Sequence, residues 1–145
     1  GNTQPAVESE TYIIQKILEE CQKGLHGVGF NEVVLMIYNS VATAELYMNM
    51  DDVRFSDDGS TVTFIAENGT HLHVKLAMVK ELRFKYTERN GRGLPSYSVQ
   101  FLEENRDSVL RIYLRKSEAE VTNQPRHELF MALLEKYGES LQLTG

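Results

Sequence analysis

The sequence predicts an α+β fold in which an antiparallel sheet of about seven strands is flanked by an N-terminal and a C-terminal helix. Three observations predict it. Both ends of the chain place apolar residues at helical spacing, the stretch between them is rich in β-branched and aromatic residues, and that stretch is punctuated by Asp-Asp-Gly and Asn-Gly turns. Strands joined by hairpins, with no helices alternating between them, argue for antiparallel pairing over a parallel α/β sheet. At 145 residues the chain has the length of one domain with one core. That domain is read as residues 8–145, after a flexible lead of residues 1–7.

The elements follow in order. In "SETYIIQKILEECQKGLHG", Ser9 is a candidate N-cap, Ile14, Ile17, Leu18, Cys21 and Leu25 form one stripe, and Gly24 and Gly27 stop the helix. Cys21 therefore reads as a buried, inert thiol. As the chain's one cysteine it excludes an internal disulfide and suits a reducing compartment. "FNEVVLMIYNSVATAELYMN" reads as two strands broken at Asn39-Ser40. A short strand, the Asp57-Asp58-Gly59 turn, a strand from Thr61 to Glu67, the Asn68-Gly69 turn and a strand from Thr70 to Leu76 come next. A strand ending near Tyr86 leads into a loop marked by Gly91, Gly93 and Pro95, and a further hairpin turns at Glu104 to Asp107. Pro125 is placed as the first residue of a closing helix whose stripe of Leu129, Phe130, Leu133, Leu134 and Tyr137 ends at Gly138.

Composition removes several classes of function. The formal net charge of −6 opposes a general nucleic-acid role, which needs a cationic surface. No run of about 18 apolar residues is present to span a bilayer, and "GNTQPAVESE" has neither a basic nor an apolar signal region, so a cytoplasmic protein without a membrane partner is expected. Phosphate-binding loops, dinucleotide fingerprints, nucleophile elbows and thiol or histidine metal motifs are all missing, so nothing supports a hydrolase. His26 and His127 read as solvent-facing, and Arg111, Arg115 and Lys116 as ordinary surface.

The stretch "ENGTHLHVKL" concentrates the chemistry. A two-residue Asn68-Gly69 turn pairs Ala66 with His71, Phe64 with His73 and Val62 with Lys75. One face of the hairpin is then Thr63, Ile65, Leu72, Val74 and Leu76, which reads as core; the other is Val62, Phe64, Ala66, His71, His73 and Lys75. Three readings of that second face stay open: a solvated or interfacial surface, a divalent-metal site, or the floor for a flat apolar ligand. The two imidazoles lie about 6.6 Å apart along the strand, close enough to share an ion, with Asp57 or Asp58 as the nearest third ligand in sequence. Haem suits the third reading, since it needs an axial imidazole, an apolar floor and cations for its propionates. A local basic strip of Lys80, Arg83, Lys85, Arg89 and Arg92 could supply those cations, with Arg83 and Lys85 on the face opposite Leu82, Phe84 and Tyr86. Cations on an edge strand also guard against aggregation.

"THLHVKLAMVKELRF", the glycine-containing loop, "SYSVQFLEENRDSVLRIYLRK" and "NQPRHELFMALLEKYG" together resemble the bacterial cytosolic haem-utilisation and haem-carrier proteins of the HemS and ChuX type. "NEVVLMIYNSVATAEL" resembles the earlier strand pair of that family, and the resemblance spans roughly residues 30–137. It implies the haem-iron-utilisation fold, a homodimer of single half-domains, and a carrier of haem before an enzyme. "HVKL" matches the stretch holding a haem-contacting histidine, which makes His73 the implied axial ligand to the iron and His71 the back-up, helped by Arg83, Lys85 or Arg92. The chain departs from the family in "FSDDGSTVTF", which has no histidine where some members carry one. The alternative is a non-catalytic dimerisation or chaperone-like module of the same fold, with Val62 and Phe64 in its interface.

Overall fold

The computed structural model describes residues 10–25, 32–66, 68–105, 107–114 and 123–143. Within them the chain forms α1 (Glu10–Leu25), β1 (Glu32–Tyr38), β2 (Thr43–Asn49), β3 (Val53–Phe55), β4 (Thr61–Ile65), β5 (His71–Lys75), β6 (Glu81–Thr87), β7 (Ser96–Leu102), β8 (Ser108–Tyr113), α2 (Asn123–Tyr137) and β9 (Ser140–Gln142). Among the described residues every strand pair is antiparallel. The α+β class is as the sequence predicts. The strands divide, however, into two sheets: a six-stranded one in the order β2-β1-β8-β7-β6-β9 and a three-stranded one in the order β3-β4-β5. Ser9, His26, Gly27, Glu67, Arg115, Lys116 and the lead of residues 1–7 lie outside the described residues.

Alternation along the strands gives the large sheet one apolar face. Val33, Leu35, Leu82, Phe84, Val99, Phe101, Leu110 and Ile112 are all buried there. Both helices and the small sheet join the same core, through Ile14, Ile17, Leu18 and Cys21 of α1, Phe130 and Leu133 of α2, and Val53, Val62 and Phe64. Cys21 is as inert as its stripe implied: burial, then the nearby Glu20 carboxylate, push its thiol up to about 12. α2 begins two residues before Pro125, which costs nothing, because the first N–H groups of a helix have no partner within it. Gly138 closes it in the left-handed region, with φ 79° and its N–H donating to the Leu134 carbonyl. Lys136 ties α2 to Glu20 of α1 at 2.7 Å.

The β3–β4 turn is held by one carboxylate. Asp58 Oδ1 accepts from the Ser60 backbone N–H, the Ser60 hydroxyl and the Ser56 hydroxyl at 2.7 to 3.0 Å. These bonds, the Ser60 N–H foremost, lower its pKa to about 2. A depressed carboxyl stabilises the fold above its unfolded pKa and loses that contribution as pH falls through the folded value. Asp58→Ala is therefore expected to lower the melting temperature at neutral pH, and the gap from the wild type should shrink between about pH 4 and pH 2. Thermal melts across that range check it; a gap that does not change with pH would show that the carboxylate charge is irrelevant to the turn.

The hairpin carrying His71 and His73 differs from expectation by one residue. Ala66 N–H donates to the Thr70 carbonyl at 2.8 Å and Gly69 N–H to the Ala66 carbonyl at 3.0 Å, while Gly69 takes φ 89°. Three residues thus separate the strands instead of two, the arrangement in which a type I turn is completed by a left-handed residue. Thr63 consequently faces His73, Phe64 faces Leu72, Ile65 faces His71, and Thr61 faces Lys75. A slip of one residue exchanges the faces of a strand. Val62 and Phe64 are both 0% exposed and belong to the core with Leu72 and Val74; they do not share a face with the histidines.

Candidate functional site

His71 and His73 lie on the exposed face of the small sheet, beside Thr63 and Ile65, and their rings stack at 5.9 Å between centroids with 23° between planes. Each ring has one nitrogen engaged. His71 Nδ1 lies 2.6 Å from the Gly69 carbonyl, which can only accept, so Nδ1 carries the proton and Nε2 the lone pair. His73 Nδ1 lies 2.9 Å from Thr63 Oγ1. With Nδ1–H donating to that oxygen, the Nε2 lone pair of His73 is likewise left for a ligand, the outer-shell arrangement that orients metal-binding histidines.

β5 is an edge strand of its sheet, and a groove along that edge takes in one of the two histidines. A cavity of about 370 Å³ lies there, with Leu72, Val74 and Val79 on one side and Ile37, Phe101 and Leu110 of the large sheet on the other. His73 and Lys75 stand on its rim; His71 does not line it. Two apolar side chains remain open at this groove, Met78 at 64% exposure and Val109 at 36%. Glu103 adds one carboxylate. Sequence reasoning missed Met78, Val109 and the large-sheet wall. Met78 follows β5 in a short helical turn, Leu76–Met78, and nothing in local periodicity places that turn against β8.

The basic strip is not part of this groove. Arg83 faces Gln100 and Lys85 faces Ser98 on the side of the large sheet opposite Leu82 and Phe84, so the sheet itself stands between those cations and the core. Arg92 lines a different cavity, of about 250 Å³, with Val34, Met36, Tyr47 and Tyr113. Of the expected cations only Lys75 reaches the groove. The expected grouping of Phe64, Val62, Arg83, Lys85 and Arg92 around the histidines is thus corrected, in two cases by the register and in three by the alternation of β6 and the path of its loop.

The metal reading fares similarly. Among the described residues no group of three or more His, Cys, Asp or Glu side chains is placed to hold an ion. Asp58 is committed to its serines.

One protein-family model matches residues 27–140. No match is found among curated proteins. Solved structures of similar fold include a protein from Erwinia carotovora (TM-score 0.65, 15% identity, 88% of this chain and 73% of that one). The haem-binding protein ChuX is similar over 82% of this chain and 71% of its own, with TM-score 0.59 and 12% identity. The haem-degrading enzyme ChuS of Escherichia coli O157:H7 is similar over 86% of this chain, at TM-score 0.63 and 13% identity, but over only 34% of its own length.

Proposed function

We propose that this chain, which has the ChuX/HemS-like fold, binds haem in the groove along β5 and serves as a cytoplasmic carrier of haem. The observation that carries this reading is the His73 imidazole, oriented by Thr63, at the rim of a cavity walled by aliphatic and aromatic side chains. The residues present fit the group: the apolar walls would take the macrocycle, His73 Nε2 the iron, and Lys75 a propionate. Haem, when bound, supplies an iron centre with open coordination chemistry. The chain's own contribution is to orient one nitrogen and to exclude water from the apolar walls. No helix of the described residues is long and apolar enough to cross a membrane.

Titration of the purified protein with haemin, followed by the Soret band, tests the reading. A saturable shift at micromolar protein is expected, and a spectrum identical to free haemin would overturn it.

A homodimer, implied by the family resemblance, would use the open face of the large sheet. Tyr47 is 60% exposed there, alongside Val34, Met36 and Tyr113 of the same cavity. Val62 and Phe64, being fully buried, are unavailable to any interface. Tyr47→Asp is expected to shift a dimer to monomer in light scattering after gel filtration; an unchanged mass would remove this face as the contact.

A further inference from the structure

A second site stands apart from the β5 groove, where the loop between β6 and β7 meets the first turns of α2. Tyr86 and Tyr97 are cross-strand partners whose rings stack at 5.5 Å, and the His127 ring meets both edge-on at 5.6 Å. His127 is therefore not the plain surface residue its position on a helix start implies: its Nδ1 lies 3.0 Å from the hydroxyl of Tyr97, a side chain only 2% exposed. A cavity of about 600 Å³ opens onto this cluster, with Leu94 and Pro95 as its apolar wall and Gln124 beside it. Glu88 and Arg89 also line it. These two opposite charges are exposed, adjacent in the chain, and without a protein partner among the described residues.

We infer that this cavity binds a small zwitterion, an α-amino acid with an aromatic side chain. A carboxylate is the group a guanidinium holds best, through two parallel N–H donors, and an ammonium is the complement of Glu88. A ligand with only one of those charges leaves the other residue facing a mismatched neighbour. The half-buried ring of Tyr86, with Leu94 and Pro95, offers a surface for an aromatic side chain. The Tyr97 hydroxyl and His127 Nδ1, 3.0 Å apart, give the cavity a polar floor between its aromatic rings. The inference does not depend on haem binding.

The test uses three probes of the same ring: L-phenylalanine, phenethylamine and 3-phenylpropanoate. Each is titrated into the full chain while the His127 imidazole signals are followed by NMR. L-Phenylalanine is expected to shift those signals saturably and to bind at least about tenfold more tightly than either singly charged analogue. Arg89→Gln should abolish its advantage over phenethylamine, and Glu88→Gln its advantage over 3-phenylpropanoate. Both changes lie on an exposed loop, and an unchanged melting temperature shows that the fold persists. No shift up to about 10 mM L-phenylalanine, or a singly charged probe binding as well, overturns the proposal.

Discussion

Phe64→Ala is expected to lower the unfolding free energy by about 3–5 kcal/mol, the range seen when a fully buried phenylalanine is truncated. Phe64 lies in the central strand of the small sheet, 0% exposed, across from Leu72, and joins the core cluster that also holds α1. Truncation there removes both the transfer free energy of the ring and the contacts of its neighbours, because a well-packed interior closes only part of the space. Thr63→Ala, one position away on the exposed side, should cost far less. The pair of variants is informative because it reads the register directly. Were the hairpin closed by a two-residue turn, Phe64 would share the exposed face with the histidines and its loss would be nearly silent. Urea unfolding of the two variants checks this: a Phe64→Ala midpoint close to that of the wild type would reject the three-residue connection.

The same hairpin explains how far the sequence could be read. Class, number of helices, antiparallel pairing and the Asn-Gly turn were all legible, because each depends on periodicity or on residues that tolerate a positive φ. The alternation of Leu82 and Phe84 against Arg83 and Lys85 was legible for the same reason and appears in the structure unchanged. What failed was the turn's length. Asn68-Gly69 serves equally as a two-residue turn and as the end of a three-residue one, and the difference of one residue transfers every side chain to the opposite face. The division into two sheets was hidden by a related limit. Pairing partners such as β1 with β8 are far apart in sequence, and nothing local distinguishes a strand that joins the large sheet from one that joins the small one. The groove walls come from Ile37, Phe101 and Leu110, which read as ordinary core; only the long-range arrangement turns them into one side of a groove.

His73→Ala is expected to eliminate the saturable Soret shift at micromolar haemin, while His71→Ala leaves most of it. The distinction comes from position, since both rings have a free Nε2. His73 stands on the groove rim and His71 does not, although the residues are two apart on one strand and stack on each other. A bound iron at His73 would then sit beside the apolar walls that take the macrocycle, whereas an iron at His71 would leave the macrocycle in water. Thr63→Val refines the test. It removes the oxygen that holds His73 Nδ1 while keeping the shape of a β-branched side chain, and loss of such an outer-shell partner typically weakens binding about 10–100-fold. Lys75→Glu should weaken haemin further by placing a carboxylate at the groove beside Glu103, with an effect that fades as salt is raised. Arg83→Ala and Lys85→Ala should leave the titration unchanged, because both side chains lie beyond the large sheet. If His71→Ala abolished the shift and His73→Ala did not, the groove would be the wrong place; if Arg83→Ala abolished it, haem would have to bind on the open face of the large sheet.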